Sequence, residues 1–209
     1  MFWPEASFRW ASGSPESAEL LDFDQFVTDY QDRLTAALRQ IDRTALRGVL
    51  EVLLGVASRG ATLYVAGNGG SAALSDHAAC DLGKGTYEDG HPPLRAVSLA
   101  SNVAVITAIA NDIAYDQVYR KQLEFQAREG DAVLLISASG SSPNVVEACR
   151  YARKRGLATI AFVGFQGGEL SRLADHVVHV PVENYGISED VHQAMMHILG
   201  QYVAGLRRA

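Results

Sequence analysis

The chain has 209 residues, 48% of them hydrophobic, enough for one well-buried core and short for two comfortable domains. Its formal charge is −6, and lysines and arginines are scattered rather than striped, which argues against a nucleic-acid partner. Two cysteines are too few for a disulfide framework, no uncharged apolar run reaches about 18 residues, and no basic segment precedes an apolar one near Met1. The expectation is a cytoplasmic protein with no membrane span, in which Cys80 and Cys149 are core-facing thiols.

Residues 1–20 mix Phe2, Trp3, Phe8 and Trp10 with Ser, Gly and Pro and read as an extended N-terminal arm. Residues 21–60 read as two helices. Phe26, Tyr30, Leu34 and Leu38 recur at helical spacing over 22–40, and Leu46, Val49, Leu50, Leu53 and Leu54 do so over 41–58. Their apolar stripes are wide enough to bury against both a sheet and another subunit.

From residue 61 to the end, short apolar runs alternate with helical stretches. Residues 62–66, 94–99, 132–137, 159–163 and 176–181 have the length and near-continuous hydrophobicity of parallel strands covered on both faces. Helical patterns occupy 71–82, 102–108, 115–127 and 143–155, and a long final helix spans about 188–206. The fold expected is a single α/β domain over 1–209. It has a doubly wound, mostly parallel five-stranded sheet, an N-terminal helical pair and a long C-terminal helix, with ligands beyond the carboxyl ends of the strands.

Two turns stand out. Gly67-Asn68-Gly69-Gly70-Ser71 joins a strand to a helix with neither dinucleotide nor Walker spacing. Glycines there let backbone approach a ligand, and the helix start offers N–H groups to phosphate. Ser137-Ala138-Ser139-Gly140-Ser141-Ser142-Pro143 repeats the arrangement with hydroxyls. Each also has a plain reading, the first as an ordinary glycine turn and the second as a tight turn in which Ser142 merely caps the next helix.

These turns, with Ala110-Asn111-Asp112 and the His192 to His197 segment, resemble the SIS (sugar isomerase) domain and, within it, the phosphoheptose isomerases. The likeness extends over about residues 23–206. It implies a homotetramer that interconverts sedoheptulose 7-phosphate and a glycero-manno-heptose 7-phosphate. By the resemblance, Asn68, Gly69, Gly70, Asn111, Asp112, Ser137, Ala138, Ser139 and Ser142 line the sugar-phosphate site, with Ser71 and Glu189 beside them. His77, Asp81, Glu189 and His197 would hold Zn²⁺, with Asp81, His197 and Glu189 as acid/base groups.

The spacing agrees with such a set. His77 and Asp81 are i and i+4 on one helix, and Glu189 and His197 lie eight residues apart, roughly 80° around a helix. An aldose–ketose interconversion needs a proton shuttle and an electrophile at the sugar oxygens, which two imidazoles, two carboxylates and a metal would supply. The chain departs from the family pattern at four positions: Asp81 stands for Glu, Glu189 for Gln, Ala138 for Thr, and Gly85 for Arg with Lys84 beside it. Other readings are a non-catalytic sugar-phosphate-binding or replication-initiator-associating SIS protein, or an isomerase of a pentose or hexose phosphate.

Overall fold

The computed structural model describes residues 22–209, so the expected N-terminal arm lies outside the described residues. Helices α1 (Phe23–Arg39) and α2 (Arg43–Ser58) each begin on an aspartate, Asp22 and Asp42, whose carboxylate accepts from two first-turn amides. There follow β1 (Thr62–Gly67), α3 (Gly70–Cys80), a π turn (Asp81–Gly85), β2 (Arg95–Ser98) and α4 (Val103–Asp112). A 3-10 turn (Tyr115–Gln117) leads into α5 (Val118–Gln126). The chain continues through β3 (Ala132–Ser137), α6 (Pro143–Lys154), β4 (Ala158–Val163), a short α7 (Leu170–Leu173), β5 (His176–His179) and α8 (Tyr185–Arg208).

The five strands form one sheet in the order β2-β1-β3-β4-β5, every neighbouring pair parallel. The period-2 pleat divides the three central strands between two cores. Leu63, Val65, Leu134, Ile136, Ile160 and Phe162 pack with α2, α3 and α8, whereas Tyr64, Ala66, Val133, Leu135, Ala161 and Val163 pack with α5 and α6. Burial on both faces explains why these strands read as unbroken apolar runs.

Chain order reverses between β1 and β3: β2 lies on one side of β1, and β3 to β5 follow on the other. In open α/β sheets a ligand crevice forms outside the carboxyl ends of the strands at such a reversal. Here Gly67 and Ser137 end those two strands, so both turns singled out in the sequence open into one crevice.

Several boundaries differ from the sequence reading. The third helix starts at Gly70 and passes into the π turn, α4 continues to Asp112, and α8 starts at Tyr185, three residues before Ser188. Asn184 explains the last difference, because its side chain accepts from the Ile187 amide and begins the helix there. Cys149 is buried as expected, but Cys80 is exposed, because the last turn of α3 presents it to solvent.

Candidate active site

At the start of α3, Gly69 occupies the N-cap position with φ 55° and no side-chain cap, leaving the first amides of the helix without a side-chain partner. At Gly70 the absence of a Cβ makes room for the Glu189 carboxylate from α8, which a side chain there would displace. At the start of α6, Ser142 is the N-cap residue, yet its hydroxyl caps no amide of the helix. It lies instead 3.5 Å from Ser137 Oγ, which is 3.4 Å from Ser139 Oγ. Three hydroxyls and two uncapped helix starts thus gather at the switch point, an arrangement suited to the oxygens of a phosphate. Ser71 is buried in the first turn of α3, and Ala138 contributes no hydroxyl.

The two turns are fixed to each other by Asn68, an expected site residue, through partners absent from the sequence expectations. Asn68 Nδ2 donates to Asn144 Oδ1 at 2.8 Å, and Asn144 Nδ2 donates back to Asn68 Oδ1 at 2.8 Å. Asn144, only 1% exposed, stands at the second position of α6, so this reciprocal amide pair sets the spacing of the helix starts. Tyr115 Oη donates to Asn68 Oδ1, and Tyr119 Oη donates to Gly67 O. Burial raises the Tyr119 pKa, keeping that hydroxyl a donor. The signal for Asn144 was an amide just inside a proline-started helix, a position where a buried partner cannot be read from one sequence.

A second cluster lies farther along α3. His77 Nε2 is 3.1 Å from Asp81 Oδ2, His197 Nε2 is 3.4 Å from the same oxygen, and the two Nε2 atoms are 3.4 Å apart. The edge between donors of tetrahedral zinc, with bonds of 2.0–2.1 Å, is about 3.3 Å. Two imidazoles and a carboxylate already spaced by that edge fit such an ion. Asp81 opens the π turn, and Arg207 of α8 holds the exit of that turn by donating to Thr86 O and Pro92 O. A π turn next to functional groups is a recurrent device for aiming a side chain.

Glu189, the fourth expected ligand, is not in this cluster. Its carboxylate rests on Gly70 at the phosphate end, and burial, followed by the neighbouring Asp190 carboxylate, raises its pKa. Tyr30 of α1 donates to Asp190 at 2.7 Å, tying the N-terminal helices to this part of α8. Asn111 and Asp112 bond to each other on the exposed end of α4, and neither hydrogen-bonds to either turn among the described residues. Gly85 and Lys84 lie in the π turn. His91 falls in a loop and His176 and His179 in β5, as their isolation in the sequence suggested.

Comparison with known proteins agrees with this geometry. Residues 25–164 match the SIS domain family. A probable phosphoheptose isomerase of Thermoplasma acidophilum is 40% identical over 152 residues, 73% of this chain and 83% of that protein. The phosphoheptose isomerase of a Bradyrhizobium species is 34% identical over 182 residues, 83% of this chain and 90% of that one. The structure of phosphoheptose isomerase GmhA from Neisseria gonorrhoeae superposes with a TM-score of 0.81 at 27% identity, over 88% of this chain and all of the other. The chain therefore belongs to the SIS domain family and, within it, to the phosphoheptose isomerases.

Proposed function

We propose that this chain interconverts sedoheptulose 7-phosphate and D-glycero-D-manno-heptose 7-phosphate. The observation that carries the reading is the pairing of two uncapped helix starts at the switch point with a His77, Asp81 and His197 triangle on the helix that leaves one of them. Ser71 and His77 are six residues apart on α3, about 9 Å along its axis. An extended heptose phosphate spans roughly 9 Å from C2 to phosphorus, so one molecule reaches from the hydroxyl cluster to the triangle.

In this reading Ser71, Ser137, Ser139 and Ser142 hold the phosphate with the first amides of α3. Asn68, Gly69, Gly70, Asn111, Asp112 and Ala138 line the rest of the sugar site. Phosphate binding energy then orients the reacting end. In the ketose-to-aldose direction, a base takes a proton from C1, an enediol forms, and a proton is returned to C2 while the O1 proton moves to O2. Asp81 and His197, at the reacting end, are the groups placed to carry these protons, whereas Glu189, expected beside them, lies against Gly70 at the other end of α3, where burial raises its pKa. His77, Asp81 and His197 would hold zinc, which when bound polarises the sugar oxygens.

The protein is further read as a cytoplasmic homotetramer. Ile198, Tyr202 and Leu206 form an exposed apolar stripe on α8, Phe23 and Phe26 do the same on α1, and no helix among the described residues is long and apolar enough to cross a membrane. The test is turnover of sedoheptulose 7-phosphate by metal-replete protein, with metal analysis, beside a panel of pentose and hexose phosphates. Turnover of the heptose with about one zinc per chain supports the assignment. Turnover confined to shorter sugars, or to none, overturns it.

A further inference from the structure

A second cavity lies at the amino ends of the strands, opposite the crevice. It has a volume of about 370 Å³ and opens between the end of α2, the start of β2 and the loop joining α5 to β3. A volume of that order holds a small molecule. Each of the three segments contributes an arginine to the lining, Arg59, Arg95 and Arg128 in turn, beside Thr62, Glu129 and Asp131. Backbone carbonyls of the rim hold two of the guanidiniums in place: Arg59 Nη2 donates to Gly130 O at 3.2 Å, and Arg95 Nη1 donates to Gly60 O at 3.3 Å. Further N–H donors of each guanidinium are left over. None of the three arginines makes an ion pair among the described residues. Asp131 is engaged with backbone instead. It is 6% exposed, and its carboxylate accepts from the Thr62 amide at 2.8 Å and the Arg128 amide at 2.7 Å, which fixes the loop to the first residue of β1.

We propose that this cavity is a second anion site, separate from the crevice, and that it takes a small diphosphate, either free or as the terminal group of a nucleotide. Like charges gathered in one hollow repel one another, and in a chain of formal charge −6 these three stand together without a carboxylate partner. A bound anion relieves that repulsion. Guanidinium forks pair with phosphoryl oxygens two at a time, and three forks offer more such pairs than the free oxygens of a single phosphate ester satisfy. Two joined phosphoryl groups supply the rest. A neighbouring hollow of about 250 Å³ shares Arg128 and Glu129 and adds Tyr151, Arg155 and Leu157, which gives a nucleoside carried on the diphosphate somewhere to lie. Strands β1 and β3 begin beside the cavity and end, after six residues each, at the two turns of the crevice, about 17 Å away. The two sites are thus at opposite ends of the sheet, and occupancy of this one is independent of the sugar-phosphate reading of the other.

The test is isothermal titration calorimetry with pyrophosphate, ADP and, as a carboxylate control, citrate. The proteins are wild type, the double variant Arg59→Gln with Arg95→Gln, Arg128→Gln, and Ser142→Asp, which alters the crevice alone. Pyrophosphate affinity should fall about tenfold or more in the double variant and in Arg128→Gln, and Ser142→Asp should keep a site within about threefold of wild type. Circular dichroism checks folding, and Arg128→Gln serves alone if the double variant unfolds. ADP binding at least as tightly as pyrophosphate identifies the occupant as a nucleotide, and weaker ADP binding identifies it as free diphosphate. The proposal is overturned if wild type binds neither probe, if binding survives every arginine substitution, or if it is lost only in Ser142→Asp, which would assign it to the crevice. Citrate binding as tightly as pyrophosphate overturns the phosphoryl assignment. Turnover of sedoheptulose 7-phosphate should stay within about twofold of wild type in the arginine variants, so loss of the isomerase reading and loss of this site are separate results.

Discussion

Helices α1, α2, α4 and α8 begin on Asp22, Asp42, Asn102 and Asn184, and each of these side chains accepts from first-turn amides of its own helix. Helices α3 and α6 begin on Gly69 and Ser142, whose own side chains accept from no first-turn amide, although in α6 the first residue is Pro143 and the Val145 amide donates to Asn144 Oδ1. Of the four helix starts whose N-cap residue makes no side-chain cap, those of α3 and α6 follow β1 and β3 directly, whereas those of α5 and α7 do not. At α1, α2, α4 and α8 an Asx residue satisfies orphan amides, worth about 0.5–2 kcal/mol each. At the start of α3 no side chain takes the first amides, which is what the proposed phosphate seat requires.

The contrast can be broken most strongly by converting one start into the other kind. Ser142→Asp gives α6 a carboxylate cap and places a negative charge where the phosphate would bind. It should raise KM for the sugar phosphate by about a hundredfold or more while raising stability by about 1 kcal/mol. Steady-state kinetics and urea melts read the two effects, and a stabilised variant with unchanged KM would remove α6 from the site.

Next in size is a buried group the site does not use. His192 on α8 is fully buried beside Phe162, and neither ring nitrogen meets hydrogen-bond geometry. Burial pushes its pKa down to about 4, against a weaker opposing contribution from the Val163 backbone. The folded protein keeps this imidazole neutral while the unfolded chain takes up a proton below about pH 6.5. Stability from this residue is therefore complete above pH 6.5 and declines as pH falls toward 4, by on the order of 3 kcal/mol. Urea melts across that range should show His192→Leu losing much less stability on acidification than wild type, and parallel curves would refute the assignment.

Asn144→Ala tests whether the two uncapped starts work as a unit. It leaves Asn68 without its reciprocal partner and should cost about 1–3 kcal/mol of stability. KM should rise roughly tenfold with a smaller change in kcat, because the phosphate donors lose their fixed spacing before the proton-transfer groups are touched. The smallest effect is the converse of the first. Asp42→Ala uncaps α2 and should cost about 1 kcal/mol in a urea melt with KM unchanged.

How much of this was legible in the sequence depended on the range of the interaction. The strands and the two turns were readable because burial on both faces leaves unbroken apolar runs, and glycine or serine clusters mark strand-to-helix turns. The i, i+4 pairing of His77 and Asp81 was readable because helical spacing is local. The partner across the fold was not. Position 189 was expected as a metal ligand by resemblance, and the packing of α8 on α3 that sets its carboxylate over Gly70 is not written in any local pattern. The Asn68 and Asn144 pair joins residues 76 positions apart, so it leaves no local pattern to read.

The central claim is that the uncapped starts of α3 and α6 hold a phosphate so that proton transfer can proceed at the far end of the same sugar. Its most direct test compares kcat/KM for sedoheptulose 7-phosphate with that for unphosphorylated sedoheptulose, using metal-replete wild type and Ser142→Asp. Wild type should prefer the phosphate ester by a factor of about 100 or more, and Ser142→Asp should erase most of that preference. Equal rates on both sugars, or a preference that survives in Ser142→Asp, would contradict it.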